Sequence, residues 1–537
     1  MKQEIKEIIA KAIGQVFPGN TKIDFNVEVS PEEKIGDYST NAALVLGKKV
    51  GERPEEIAEK IIKIIRELDD QMIGEIEVAK PGFINLKIAL PYLQNQISKI
   101  LVAGEKYGNS DLGKDLKVNI EFISANPTGP LTLGNGRGGY AGDCLANIFK
   151  SFGAEVEREY FINDRGAQII KLGHSILKDK EALYRGNYIE KIADQISHFH
   201  TAKYSSGKPE EIGQMAVPII MEEYIKKTIY KMGIKFDHWF SESGLYKGAI
   251  EKAIGILDSH QLTYKKDGAL WLKTTDCGDD KDRVLITKDK EFTYFAGDIA
   301  YHYDKIRRGY NLLVDFWGAD HHGYQGRMQA AIEILRQQEH WSGELKILIS
   351  QLVRLVSKGQ EIKMSKRQGT YVTMDELLDQ VGKDVTRFFF LERNLNTHLD
   401  FDLDLAREKS QKNPVYYVQY AYARIHSILE KVKSKKEKVK TSAENLKLLK
   451  EPPELSLSKE LIKLPDIIVD TSEDYQMQRL PYYSTELARK FHNFYEKCRV
   501  ISDDKELTAA RIGLIKATQI VLKKTLDLMG ISAPEKM

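Results

Sequence analysis

Apolar residues recur at helical spacing from the first residue onward. In MKQEIKEIIAKAIGQVF, Ile and Val alternate with Glu and Lys at the three- and four-residue intervals of an amphipathic helix. The short alternating segment FNVEV, a helix from about Ser39 to Leu68 and the stretch IEVAKPGFINLKI follow, so residues 1–105 are expected to form a small α+β domain. From Lys117 the pattern changes. The apolar run VNIEFI opens an alternation of strand- and helix-length segments that continues to about Ser350, which predicts a parallel sheet wrapped by crossover helices. A helical stretch from about Glu181 to Met232 interrupts it and reads as an insertion between the halves of one nucleotide-binding fold. After about Asp404 the pattern is almost wholly helical, with segments near Ser442–Leu449, Pro481–Val500 and Thr508–Met529, and a turn expected at the Glu-Pro-Pro-Glu of 451–454. The expected division is 1–105, an α/β Rossmann-like core over 112–372 with its insertion at 181–232, connecting stem helices over 373–405, and an all-α bundle over 406–537.

Composition narrows the classes without choosing among them. The chain has 537 residues, 42% hydrophobic and 29% charged, as expected of a globular protein with several domains. Lys+Arg 80 against Asp+Glu 78 gives a formal charge of +2, so a polyanionic partner would have to be met by a local patch. Cys144, Cys277 and Cys498 form no CxxC pair, which argues against a disulfide framework or a zinc ribbon and fits a reducing cytoplasm. No apolar run approaches the roughly 18 residues of a membrane helix, and the N-terminus lacks the unbroken apolar core of a signal peptide.

Candidate chemistry begins with Asn126-Pro-Thr-Gly-Pro-Leu-Thr-Leu-Gly-Asn-Gly-Arg-Gly-Gly-Tyr140, which follows VNIEFI and precedes an expected helix, Tyr140–Ser151. Glycines let backbone approach a ligand, and the free N–H groups of a helix start at Gly136–Gly139 would face a phosphate. Gly134-x-Gly136-x-x-Gly139 also matches the dinucleotide fingerprint, with Glu155 and Glu157 downstream. The NAD-dependent oxidoreductase reading is a remote one, because about ten residues separate Ile123 from Gly134 where a dehydrogenase makes its tight turn directly after the strand. A second signature, EIKMSKRQGT at 361–370, sets Lys363, Met364, Ser365, Lys366 and Arg367 in a short polar segment after the last strand candidate, LKILIS.

This pair resembles the two signatures of class I aminoacyl-tRNA synthetases, and the finer match is to the arginyl-tRNA synthetase family. It runs through the whole chain, in GDYSTNAAL, KPGFINLKI, SANPTGPLTLGNGRGGYAGD, FDHWFSESGLY, YFAGDIAYHYDK, WGADHHGYQGRMQAA, KMSKRQGTYVTMDELL, NPVYYVQYAYARI and GISAPEKM. The resemblance implies that arginine is activated by ATP to arginyl-adenylate and passed to the terminal adenosine of its tRNA, at the 2′-hydroxyl by class, and commonly with tRNA required for the first step. Mg²⁺ would accompany ATP, and no zinc or tightly bound organic cofactor is expected. It implies an ATP site from Gly129, Gly134, Gly136, Asp320, His322, Met364, Ser365 and Lys366, with Lys363 and Lys366 neutralising the departing pyrophosphate. Glu242 and Asp298 would face the guanidinium, Tyr294 would wall the side chain, and Asn126 would hold the amino-acid head group. For tRNA, Phe83 and Asn85 match positions that meet a D-loop base, and Tyr417, Tyr420 and the terminal Met537 belong to the anticodon side. Among Tyr416, Tyr417, Tyr420 and Tyr422, about half are expected to be packing, since Tyr416 and Tyr420 share one helix face. A monomer is the family expectation.

One departure stands out. Where the family carries HxGH, this chain has Thr132-Leu133-Gly134-Asn135. Activation needs positioning and hydrogen-bond donors rather than a protein nucleophile, and Asn135 and Thr132 are still donors with shorter reach. A working enzyme with an adapted site is therefore expected, with a catalytically impaired tRNA-binding paralogue as the alternative. Asp320-His321-His322 tempts a metal reading, but no HExxH or Cys partner is nearby, and the acids at 276–282 lack EF-hand spacing.

Overall fold

The computed structural model describes residues 1–19, 23–30, 34–68, 70–199, 207–362, 372–434 and 441–537. The lysine segment 363–366 and lysines 435–440 therefore lie outside the described residues.

The N-terminal unit packs helix Lys2–Val16 and two further helices on a four-stranded antiparallel sheet of β1 (Val27–Val29), β2 (Tyr38–Thr40), β3 (Ile73–Ala79) and β4 (Phe83–Ile88), in the order β1-β2-β4-β3. Ile5, Ile9 and Ile13 form the buried face of the first helix, and the core is closed by Ile462 from the far end of the chain. The helix expected over 39–68 is in fact two, Ala42–Val50 and Pro54–Glu67, and Ser39 belongs to β2. Gly51, at φ 76, ends the first in the left-handed conformation, and Pro54 opens the second where its missing N–H costs nothing.

Five parallel strands carry the second unit: β5 (Lys117–Glu121), β6 (Glu155–Ile162), β7 (His238–Ser241) and, after the hairpin sheet β8 (Thr263–Lys266), β9 (Ala269–Leu272) and β10 (Arg283–Ile286), β11 (Leu312–Gly318) and β12 (Glu344–Ser350). Their order is β12-β11-β5-β6-β7, so the winding direction reverses between β5 and β11. Ligands in such sheets bind at that switch point, beyond the carboxyl ends of the strands. The insertion between β6 and β7 is helical as expected, but it starts earlier, with Ala167–Leu177, followed by Asn187–Phe199 and Pro209–Ile220. The three-stranded sheet β8-β9-β10 has no counterpart in the sequence reading, because its strands are only four residues long.

A small sheet of β13 (Val353–Ser357), β14 (Gln360–Glu361) and β15 (Leu399–Asp402) leads to the C-terminal helices Pro414–Ser434, Ala443–Leu446, Pro452–Leu461, Leu464–Asp474, Arg479–Lys497 and Lys505–Met529. The Glu-Pro-Pro-Glu turn proves to be a helix start: Pro452 sits in the first turn, and Glu451 and Glu454 form a reciprocal cap. Two buried arginines bind these parts together. Arg137 donates to the backbone carbonyls of Gln351 (3.0 Å), Thr397 (2.7 Å) and Asn394 (2.8 Å), while Arg387 reaches Asp143 and the carbonyl of Met529. Among the described residues no helix is long and apolar enough to cross a membrane.

Candidate active site

The candidate groups of the central unit that the structure describes lie beyond the carboxyl ends of β5, β7 and β11, except Tyr294 and Asp298, which lie on the helix before β11. The helix after β5 begins at Leu133, seven residues before the expected Tyr140. Three of its glycines are there for packing. A Cβ at Gly136 would stand 2.3 Å from Met374 Sδ, one at Gly139 2.9 Å from Ile123, and one at Gly142 2.4 Å from Phe122. Gly136 N–H is also consumed, donating to Thr132 O at 3.1 Å. The free end of the helix is therefore not at Gly136–Gly139. Leu133 and Gly134, the first two helical positions, carry the N–H groups without an intrahelical acceptor. A Cβ on Gly134 would meet only Thr132 Oγ1, at 3.8 Å, so this glycine faces open space.

Thr132 and Asn135, the two departures from HxGH, engage each other. Thr132 Oγ1 accepts from Asn135 N–H (3.4 Å) and donates to Asn135 Oδ1 (2.8 Å), which also accepts from Thr132 N–H (3.0 Å), a capping box. The pair fixes where the helix starts. Asn135 keeps its NH2 group for a ligand, whereas the Thr132 hydroxyl hydrogen is already committed. Across the switch point, Asp320 and His322 are exposed on the short helix Ala319–Tyr324 that ends β11. Thr373 forms a bridge to Thr132, and Met374 N–H donates to Leu131 O at 2.9 Å, so the residues that follow the lysine segment are pinned beside the helix start.

The acidic side of the site is built from two strand ends and one helix start. Glu242 follows β7 and is 5% exposed, and its Oε2 is buried with no hydrogen-bond partner. Burial, reinforced by the nearby Asp298 and Asp164 carboxylates, pushes its pKa up to about 7. Asp298 lies on the helix Tyr294–Arg307, with Thr293 as its N-cap. Burial raises the Asp298 pKa too, against the opposing hydrogen bond donated by Tyr324. Asp164, beyond β6, accepts from Ser243 N–H (2.9 Å) and from the Ser241 hydroxyl (2.5 Å). Arg165 lies over the Tyr246 ring at 3.9 Å, and Tyr294 Oη approaches Gly166, where a Cβ would stand 2.7 Å away. Tyr294 itself is 56% exposed. An unpaired, desolvated acid beside a second one is a binding site for a cation, and its aromatic walls suit a planar one.

A buried ion network holds this helix in register. Lys305, fully buried, donates to Glu121 (2.7 Å) and Asp315 (3.0 Å); His302 hydrogen-bonds Asp315 (2.8 Å) and the carbonyl of Asp298 (2.8 Å). Burial would raise the Asp315 pKa, but Lys305 and His302 outweigh it and keep the carboxylate ionised. On the far side, Glu157, Glu159 and His238 bring ligand atoms within metal-binding distance of one another. The Arg308 guanidinium fills that space, with Nη1 at 2.8 Å from Glu157, 2.6 Å from Glu159 and 3.0 Å from His238.

Asn126 lies in the loop after β5, half-buried, with its carbonyl accepting from Thr128 N–H at 2.7 Å. The backbone leading to it is unusual: Ile123 and Ser124 take φ 67 and φ 34, left-handed values that a β-branched residue rarely adopts. Ile123 is wedged against Gly139, and Ser124 Oγ accepts from Phe161 N–H at 3.1 Å, tying the loop to the end of β6. Sequence reasoning passed over Asp164, Arg165, Tyr246 and Tyr324. Their only signal was position, at the ends of strands that also carry Glu242 and at the close of the Ala319–Tyr324 turn.

The tRNA candidates are spread over the two ends of the chain. Phe83 is 37% exposed on β4, whereas Asn85 is 4% exposed. Tyr416 and Tyr420 stack with ring planes 7° apart, Tyr420 and Tyr417 both pack on His492, and Arg424 lies over Tyr420 and Tyr495. Tyr422, at 6% exposure, is core. Burial, then the Arg424 charge, lowers the His492 pKa to about 4, so this aromatic cluster has a neutral imidazole at its base. Met537 is 52% exposed.

Three family descriptions match successive parts of the chain: the arginyl tRNA synthetase N terminal domain at residues 3–88, the catalytic domain of class I (R) tRNA synthetases at 96–404, and the DALR anticodon binding domain at 418–537. An arginine–tRNA ligase of Aquifex aeolicus is 40% identical, with all of both chains covered. One from Listeria monocytogenes is 42% identical over all of this chain and 98% of its own. The fold is also that of Thermus thermophilus arginyl-tRNA synthetase, with a TM-score of 0.81 at 20% identity over both whole chains. With catalytic, N-terminal and anticodon-binding regions all matched and relatives aligned from end to end, the chain belongs to the arginyl-tRNA synthetase family.

Proposed function

We propose that the chain is an arginine–tRNA ligase, activating L-arginine with ATP and transferring it to the 3′-terminal adenosine of its tRNA. The observation that carries the arginine assignment is Glu242, a buried carboxyl without a partner beside Asp298. A guanidinium supplies the missing charge and paired donors for both acids; an ammonium cannot span them in the same way. Asn126 takes the amino-acid head group, and Tyr294 and Tyr246 flank the side chain.

Chemistry follows from position. The arginine carboxylate attacks the α-phosphorus of ATP, the bond to the bridging oxygen of pyrophosphate breaks, and no protein nucleophile takes part. This chain contributes the N–H groups of Leu133 and Gly134 and the Asn135 amide toward the phosphates, with Thr132 holding the helix start as their support. Asp320 and His322 face the nucleoside, Gly129 and Gly136 shape the loop and helix around it, and Lys363, Met364, Ser365 and Lys366 close on the pyrophosphate. Mg²⁺ enters with ATP, held by phosphates and water. The first unit, through Phe83 and Asn85, and the C-terminal bundle, through Tyr417, Tyr420 and Met537, grip the tRNA; the chain works as a cytoplasmic monomer. A tRNA-binding paralogue without chemistry has no use for an unsatisfied buried acid at Glu242. The test is ATP–pyrophosphate exchange. It should require arginine and tRNA and ignore lysine and citrulline; exchange driven equally by lysine would overturn the assignment.

A further inference from the structure

Side chains of the helical insertion between β6 and β7 reach the loops after β5 and β6, through contacts that the roles above do not account for. At the first, Tyr188 on the helix Asn187–Phe199 donates its hydroxyl to the carbonyl of Thr128 at 3.0 Å, and its ring lies so close to Gly129 that a Cβ there would stand 2.9 Å from the hydroxyl oxygen. At the second, Gln214 Nε2 donates to the carbonyl of Asp164 at 2.9 Å. The inner side of the first loop is held separately, by Tyr160 donating to Ala125 O at 2.8 Å. Residues 126–130 therefore sit between Tyr160 of the sheet and Tyr188 of the insertion.

We propose that Tyr188 is a positioning residue, through which the helical insertion sets the loop that carries Asn126 and Gly129 and so controls activation of the amino acid; this rests on the ligase reading above. The geometry behind Tyr188 supports such control. Its ring packs edge-on against Tyr224 at 6.0 Å, and Tyr224 lies in the wide-turn segment Met221–Lys226, a π-helical turn between two α-helices. Such turns carry an extra residue per ring of hydrogen bonds and are frequent at functional sites. Movement of that turn would pass through the two tyrosine rings to the Thr128 carbonyl without any change in the acid pair.

The test uses the full-length chain with Tyr188→Phe, Tyr188→Ala, Gly129→Ala and the double variant Gly129→Ala/Tyr188→Ala, with Tyr230→Ala, 85% exposed on the same insertion, as control. Tyr188→Phe keeps the ring and deletes one hydrogen bond, so exchange should fall about tenfold in kcat/KM for arginine with the KM for tRNA unchanged. Tyr188→Ala should fall further, and Gly129→Ala should add little to it, since the added Cβ clashes only with a ring that is gone. Tyr230→Ala should match wild type. If Tyr188→Phe equals wild type in exchange, or if the double variant shows the product of the two single losses, the proposal is wrong. A purely structural role would lower Tm and leave the kcat and KM of the surviving folded enzyme alone, which also overturns it. Absence of exchange in the wild-type chain overturns the ligase reading itself, an outcome distinct from a silent Tyr188→Phe.

Discussion

Replacing Glu242 by Gln removes a carboxyl that the fold holds at a cost. Its pKa of about 7 against an ordinary 4.5 means that the folded chain resists ionising it. The sign follows from linkage: an acid whose folded pKa is raised destabilises the fold above its unfolded pKa, and the penalty grows as pH climbs from about 4.5 to about 7 and then levels off. That difference of about 2.5, at roughly 1.4 kcal/mol for each pKa step of one, sets a limit of about 3.5 kcal/mol before solvent relaxation reduces it. Glu242→Gln should therefore raise Tm by a few degrees near pH 8, and the gain should vanish near pH 5. Arginine reverses the balance, because its guanidinium binds the ionised form. Wild-type affinity should weaken about tenfold between roughly pH 8 and pH 6, as binding must first expel the proton. The variant should bind arginine about 10–150-fold more weakly, the value of a charge-assisted hydrogen bond, and should lose most of that pH dependence. Calorimetric titration of arginine at several pH values, with thermal melts of the free chains, reads all three. A wild-type affinity flat from about pH 6 to 8, or a variant less stable than wild type near pH 8, would refute the reasoning.

Other outcomes follow from the helix start, the tRNA surface and the lysine segment. Thr132→Ala should cost about 1 kcal/mol in stability by breaking the reciprocal cap, and Thr132→Ser should restore it; equal melts for all three would show that the cap carries no stability. Gly136→Ala should lower Tm because its Cβ meets Met374, whereas Gly134→Ala should leave Tm unchanged and raise the KM for ATP; the reverse pattern would reassign the two glycines. Tyr420→Ala should raise the tRNA KM about tenfold or more while leaving ATP binding alone, as loss of a stacking platform does. Lys366→Ala should lower the exchange rate by about two decades with tRNA affinity preserved, measured by exchange and by filter binding.

The sheet and its insertion were legible because buried parallel strands leave apolar runs, and amphipathic helices leave a repeat. The helix start at Leu133 was not. Glycine disfavours helix by about 1 kcal/mol each, so the run from Gly134 to Gly139 reads as a loop, yet Met374 and Ile123 leave no room for any other residue at two of its positions. Tertiary approach overrode local preference. Gly51 and Pro54 show the opposite case, local signals that were present and that end one helix and begin the next. Glu242 and Asp298 could be assigned to arginine only through resemblance, since their convergence depends on β6, β7 and a helix more than 50 residues later in the chain. The same dispersion hid Asp164, Tyr246 and Tyr324. Thr132 and Asn135 stood out in the sequence as a chemical departure, and only coordinates show that they satisfy each other.

The most direct measurement of the central claim is single-turnover transfer of labelled arginine to tRNA at saturating ATP. The account predicts that label appears as a base-labile ester on the terminal adenosine, that omitting ATP abolishes it, and that Glu242→Gln restores it only at high arginine concentration. Tight tRNA binding with no ester formed at any arginine concentration would contradict it.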